Sequence, residues 1–245
     1  MFNQRALNKQ MPDTAVRLQV NQLIEALPRK DRKELLLHCT PVQLTLADVL
    51  AGQGAVTTRI YFPLDAFISL VTQTEGSPAL EVGMVGNEGM AGVHLVLGVA
   101  TAPTRAVVQG AGTALCISAI ALRRQLVDSP ALRRALLRYV YVLMAQMSNY
   151  TACLRFHEIE PRLARWLLMT ADRAHSSRFS MTHEFLAFML GVRRVGVTQA
   201  AGALQRVGLI EYHRGDMQIS NRAGLERAAC ACYATDRRIY TQVMA

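Results

Sequence analysis

Between Pro41 and Ser118 the apolar residues fall in short runs, "VQLTLADVL", "RIYFPL", "FISLVTQT", "ALEVGMV", "RAVVQ" and "TALCIS", separated by Gly, Pro, Asp and Asn. Short strands at regular intervals with turn residues between them predict an antiparallel sandwich or barrel. Ahead of them, "LIEALPRKDRKELLLHC" from Leu23 to Cys39 reads as a helix broken by Pro28 and restarted with charged residues on one face. After Ser118 the strand texture stops. "SPALRRALLRYVYVLMAQMSNYTACLRF" offers Ser129 as an N-cap and Pro130 in the first turn of a long helix. On it Leu136, Val140, Leu143, Met147, Tyr150 and Leu154 recur at alternating steps of four and three, a heptad seam. A seam lying between two compact halves predicts a dimer contact; the other reading is that it packs on its own barrel.

From Glu160, "EPRLARWLLMTADRA" is a further helix with Pro161 at its start and Leu163, Trp166, Leu167 and Thr170 on one face. "HSSRFSMT" reads as a polar connector. Then come a helix from Thr182 to Leu190, a Gly191-Val192 turn, a helix from Arg193 to Val207, and Gly208 as its stop. "LIEYHRGDMQIS" reads as a hairpin around Arg214-Gly215-Asp216. Three helices and a two-stranded wing make a winged helix-turn-helix.

The chemistry of that segment is specific. Gly191 supplies the tight corner between two helices, and Ala187, Leu190, Val192, Val197 and Leu204 supply the apolar lock. The residues left on the outer face are Arg193, Arg194, Val195, Thr198 and Gln199. Arginine forks onto guanine, glutamine onto adenine, and valine or a threonine methyl meets the thymine methyl, so this is a base-reading face. Thr182 and His183 at the start of the preceding helix, and His213 and Arg214 on the wing, are candidate phosphate contacts. A solvated pair of arginines, or a winged helix that binds only protein, is the blander alternative. The coincidence of corner glycine, apolar lock, basic face and basic wing favours double-stranded DNA as the partner.

Composition agrees. The chain of 245 residues is long enough for two domains with cores of their own, and 51% hydrophobic against 18% charged residues mark it as globular. The net charge is +9, and 24 of its 27 basic residues are arginine, the side chain best suited to phosphate and base edges. Apolar stretches such as Leu95 to Val99 and Tyr139 to Ala145 are too short for a bilayer, and "MFNQRALNKQMPDTAVRLQ" lacks a signal-peptide core. A cytoplasmic protein with no membrane partner is expected. The five cysteines, odd in number and mostly scattered, fit reduced thiols. Cys230 and Cys232 read as two small buried thiols on a terminal helix, with no other Cys or His nearby to complete a site, so no metal is expected.

"RLARWLLMTADR", "MTHEFLAFMLGVRRVGVTQAAGALQRVGLIEYHRGDMQISNRAGLE", "YFPLDAFISL" and "VGNEGMAGV" resemble the Crp/Fnr family of bacterial transcription regulators. The resemblance runs over nearly the whole chain from Leu23 and implies an α+β architecture in three parts. These are an N-terminal antiparallel jelly-roll β-barrel like the cyclic-nucleotide-binding domains (20–128), a long dimerisation helix (129–157) and a C-terminal winged helix-turn-helix (158–245). It implies a homodimer on DNA, an effector in the barrel, and RNA polymerase as a further partner. Where the family's reading helix usually carries an acidic residue and a later arginine, this chain has Val195 and Gln199, so a different operator is expected.

The effector site is read from a partial match. Cyclic-nucleotide pockets of the family resemble one another in a Gly-Glu pair and an Arg followed by a small hydroxyl residue. The nearest match is Gly86-Asn87-Glu88-Gly89 with Arg105-Ala106, which makes Glu88 and Arg105 the candidate effector residues but lacks the hydroxyl. A cyclic phosphate needs several converging donors to offset its desolvation, so cyclic AMP is not expected as the ligand and no cofactor is assigned. The cysteine cluster of the oxygen-sensing branch is missing, and His38, Cys39 and His94 are candidate haem ligands only as lone residues. A metal-dependent cupin enzyme, the competing class, needs clustered histidines that the strand region does not supply.

Overall fold

The computed structural model describes residues 20–213 and 215–245. The chain opens with two short helices, α1 (Gln22–Glu25) and α2 (Arg29–Leu37), separated as expected at Pro28. Seven strands follow: β1 (Thr40–Leu44), β2 (Val49–Ala51), β3 (Arg59–Pro63), β4 (Phe67–Thr72), β5 (Leu80–Val85), β6 (Arg105–Gly110) and β7 (Gly112–Ser118). They form two antiparallel sheets, ordered β1-β7-β3 and β2-β6-β4-β5. The jelly roll is therefore two facing sheets and not a closed barrel. The segment "VQLTLADVL" contributes to both sheets, because a turn at Thr45–Asp48 divides it. There the Asp48 carboxylate accepts from the Thr45 N–H at 3.1 Å and Ala47 adopts φ 71°. Leu44, Ile68, Leu70, Val85, Ala106 and Val108 fill the space between the sheets.

Helix α3 (Ala119–Asp128) follows β7 directly, capped by the Ser118 hydroxyl, which accepts from Ala121 N–H at 3.2 Å. It is absent from the elements expected from sequence, although Ala119, Leu122 and Gln125 recur at steps of three and are buried on one face. Helix α4 (Pro130–Phe156) runs for 27 residues from the Ser129 cap, whose hydroxyl accepts from Leu132 N–H at 3.0 Å.

The stripe on α4 that the heptad spacing marks as a dimer seam faces the chain's own core instead. Leu136, Val140, Leu143 and Tyr150 are all buried within the single chain. Leu136 and Leu143 join the core formed with α1, α3 and β3, and Met147 packs against the jelly-roll interior. Tyr150 donates its hydroxyl to the Met189 carbonyl at 3.4 Å, and Leu154 is half-buried. The stripe packs on the chain's own domains. The exposed stripe lies one residue further round, at Leu137, Tyr141 and Met144, with Tyr141 59% and Met144 62% exposed.

Beyond α4 come α5 (Ile159–Ala174), β8 (Arg178–Ser180), α6 (His183–Leu190), α7 (Arg194–Arg206), β9 (Ile210–His213), β10 (Asp216–Ile219), α8 (Arg222–Ala228) and α9 (Cys232–Met244). The predicted connector contains β8, which pairs with β10 and makes the wing three-stranded, in the order β8-β10-β9. Three residues are too few for alternation to show in sequence. Helix α9 turns back along α4 to the jelly roll, where Tyr240 donates its hydroxyl to the Glu88 carbonyl at 2.9 Å. This return brings Cys230 and Cys232 against Cys153 and His157 at the end of α4, so the reading that no other Cys or His lies near the pair is overturned.

Candidate nucleic-acid interface

The helix-turn-helix is assembled from local rules. Thr182 caps α6 by accepting from Phe185 N–H at 3.1 Å. Gly191 ends α6 in the left-handed region at φ 62°, and Val192 N–H returns to the Ala187 carbonyl at 3.0 Å. A Cβ at Gly191 would also meet Cδ1 of Leu80 on β5 at 2.6 Å, but the tip of that side chain can move aside, so the left-handed φ is what calls for glycine. Val197 and Leu204 of α7 and Leu186, Ala187 and Leu190 of α6 close a core shared with Trp166 and Leu167 of α5. At Gly196 a Cβ would meet Ile159 Cδ1 at 2.6 Å and displace the end of that side chain.

Arg193 sits at the N-cap of α7 with extended backbone and no side-chain capping bond, and Arg194 is its first helical residue. Both are exposed, together with Val195, Thr198 and Gln199, so one row of side chains leaves the first two turns of α7 toward solvent. The helix N-terminus adds the partial positive charge of its free N–H groups to the two guanidinium groups. The Thr198 hydroxyl is already engaged: it donates to the Arg194 carbonyl at 3.1 Å and lies 3.0 Å from His183 Nδ1. Its methyl group is left for an apolar base contact.

His183 takes a different place from the phosphate contact expected of it. Its ring stacks on Tyr212 of the wing, centroids 4.3 Å apart and planes at 15°. Burial, and then the neighbouring Arg194 charge, hold its pKa below the usual histidine value, which favours the neutral ring. His183 thus ties α6, α7 and the wing together. Tyr212 is a site residue that sequence reasoning missed; its hydroxyl also donates to the Met181 carbonyl at 3.3 Å. Thr182 is exposed at its cap and His213 is exposed at the end of β9. Arg214 lies outside the described residues. Arg178, exposed on β8 and bonded to Gln218 at 2.5 Å, adds a cation beside the wing that was hidden in the supposed connector.

The tentative effector pair does not assemble. Glu88 forms an ion pair with Arg173 of α5 at 2.7 Å, while Arg105 is exposed at the start of β6. Neither lines the cavity that the jelly roll does possess, a space of about 190 Å³ between the sheets, the 3₁₀ turn at Val93–Leu97 and α4. Its walls are mostly apolar, with Leu50, Leu70, Met90, Leu97, Val140, Leu143, Met144 and Met147 among them. His94 reaches it from the turn with Nε2 2.9 Å from Thr57 Oγ1. His38 is exposed at the end of α2 and Cys39 is half-buried, so neither joins His94 there.

Residues 161–228 match the family model of the Crp-like helix-turn-helix domain. No curated protein matches the chain in sequence. Solved structures share the fold. FixK2 from Bradyrhizobium japonicum is 13% identical over 79% of this chain and 98% of its own, with a TM-score of 0.66. The c-di-GMP-responsive global regulator CLP of Xanthomonas campestris is 15% identical over 78% of this chain and 99% of its own, at 0.64. A CRP-family transcriptional regulator from Thermus thermophilus is 22% identical over 77% of this chain and 96% of its own, at 0.63. The fold and the matched domain define a DNA-binding transcription regulator. Residues 161–228 are thus a Crp-like helix-turn-helix domain, and the chain shares its fold with solved regulators of the Crp/Fnr family. Among the described residues no helix is long and apolar enough to cross a membrane.

Proposed function

We propose that the regulator acts in the cytoplasm as a homodimer that reads an approximate palindrome, with its half-sites about 34 Å apart along the duplex. The observation that carries this reading is the exposed row Arg193, Arg194, Val195, Thr198 and Gln199 on α7, a helix whose opposite face is buried in the core of its domain. Arg194 is assigned a base contact, and Arg193 with Thr182, His213 and Arg178 the flanking phosphates. Two copies pair along the exposed face of α4, where Leu137, Tyr141 and Met144 repeat at steps of four and three and bury their apolar surface only against a second chain.

The effector is a small apolar molecule held in the jelly-roll cavity. The mostly apolar walls support this, and so does the double position of Met144, which lines the cavity and is 62% exposed on the pairing face of α4. A ligand that moves Met144 therefore shifts the packing of the two α4 helices, and through them the spacing of the two α7 helices. Contact with RNA polymerase, as the family resemblance implies, converts DNA binding into control of transcription. The cupin-type enzyme is disfavoured, since His94 is the one imidazole among the described residues lining the cavity.

Genome-wide capture of DNA fragments by the purified protein, followed by footprinting of the best fragment, tests the reading. A protected two-fold site of about two helical turns is expected, and capture no better than random fragments overturns it.

A further inference from the structure

The C-terminal turn of α4 carries Cys153 and, four residues on, His157, a spacing that puts both on one face of a helix end. Cys230 lies in the bend after α8, and Cys232 is the first residue of α9. Folding brings the four together. Cys153 Sγ is 3.5 Å from Cys230 Sγ, and Cys232 Sγ is 3.5 Å from His157 Nδ1. All four donor atoms lie within 4.8 Å of one another. The three cysteines are buried and His157 is half-exposed.

Three thiols and an imidazole converging on one point are the donor set of a tetrahedral Cys3His site. With metal–sulfur bonds of about 2.3 Å and a metal–nitrogen bond of about 2.0 Å, neighbouring donors in such a site stand roughly 3.5 to 3.8 Å apart. Two edges of the set already have that length, and no donor pair exceeds it by more than about an ångström. A single ion fits this spacing. An iron–sulfur cluster would need its ligands spread around a core of several irons. A Cys153–Cys230 disulfide would use two of the donors and leave Cys232 and His157 without a role.

The surroundings complete the chemistry. Three thiolates around a divalent ion carry net negative charge, and the buried Arg165 guanidinium lies 3.9 Å from Cys153 Sγ. The same guanidinium is oriented by a 2.6 Å ion pair with Asp236 of α9. The half-exposed edge of His157 gives the ion a way in.

We propose that Cys153, His157, Cys230 and Cys232 bind one divalent transition-metal ion, with zinc the ion that this ligand set suits best, fastening the end of α4 to the start of α9. His157 is the C-cap of α4, and α5 begins at Ile159, so the ion sits at the elbow where the chain passes into the DNA-binding domain. Loading stiffens that elbow and holds α7 in a defined position relative to the pairing helix.

Full-length protein, stripped by a chelator and kept reduced, is titrated with Co²⁺ and then with Zn²⁺. One equivalent of Co²⁺ per chain is expected, with the d–d and thiolate-to-cobalt absorption of a tetrahedral site, and Zn²⁺ displaces it. Cys153→Ser and Cys232→Ser abolish the band, while Cys39→Ser and Cys116→Ser leave it intact. His157→Ala, at a half-exposed position that the fold tolerates, weakens binding at least about tenfold even if a cysteine variant fails to fold. Failure of the stripped wild type to bind Co²⁺ overturns the site, as does a band unchanged in His157→Ala and Cys153→Ser.

Discussion

Trp166 of α5 donates its indole N–H to the carboxyl of Glu81 on β5, with Nε1 2.8 Å from Oε1, and this bond joins the DNA-binding domain to the jelly roll. The other oxygen of Glu81 accepts from Ser69 at 2.5 Å. Glu81 is 2% exposed, and burial pushes its pKa up to about 7. The hydrogen bonds from Ser69 and Trp166 and the charges of Arg173 and Arg165 act in the opposite direction without overcoming burial.

The stability of the domain junction is therefore expected to depend on pH. A carboxyl whose folded pKa is raised favours the protonated state. Its stabilisation is complete below about 4.5, and it is lost as pH rises toward and through about 7. The loss amounts to roughly 3 kcal/mol at 1.36 kcal/mol per pKa unit, which for a chain of this size is several degrees in Tm. Glu81→Gln keeps an acceptor for Trp166, and its amide N–H can donate to the Ser69 oxygen as a protonated carboxyl would. It is expected to melt higher than the wild type at pH 8 and to lose most of the difference at pH 5. Parallel melting curves for the two proteins across that range refute the assignment.

Arg194→Ala removes a side chain that is exposed at the first residue of α7, so the folded state should keep its stability to within about 0.5 kcal/mol. A bidentate base contact is worth about 1 to 3 kcal/mol, and two-fold symmetry doubles it, so sequence-specific binding should fall by roughly two to four orders of magnitude. Mobility shifts at fixed salt on the footprinted site measure the change. Unaltered affinity would mean that another element reads the bases.

Two double variants of α4 separate its faces. Tyr141→Asp with Met144→Asp places charges on the exposed stripe and should give a folded monomer by sedimentation. Val140→Asp with Met147→Asp places them against the jelly roll, where unpaired charges should lower the melting temperature sharply. A monomer that keeps its wild-type melting temperature from the second pair would return the dimer contact to the buried row.

Cyclic AMP and cyclic GMP are expected to give no binding heat, since Glu88 is held by Arg173 and the exposed Arg105 does not line the cavity. Micromolar binding that disappears in both Glu88→Ala and Arg105→Ala would show that the two residues converge on a ligand after all.

Local sequence was enough for the strand runs between Pro41 and Ser118, the N-cap at Ser129, the corner at Gly191 and the outward row on α7. Alternation, capping and the left-handed preference of glycine act over a few residues, and those residues are contiguous. On α4 the same rules reach a limit. Leu136, Val140 and Leu143 stand one residue before Leu137, Tyr141 and Met144, and both rows satisfy the same heptad spacing. Which row is core depends on the surface it meets, and the jelly roll covers the first and leaves the second to solvent. His183 became a stacking partner only because β9 lays Tyr212 beside it. Cys153 and Cys230 are 77 positions apart, and nothing in either neighbourhood announces the other. Their meeting required α9 to fold back along α4, a contact set by long-range packing that no local periodicity encodes.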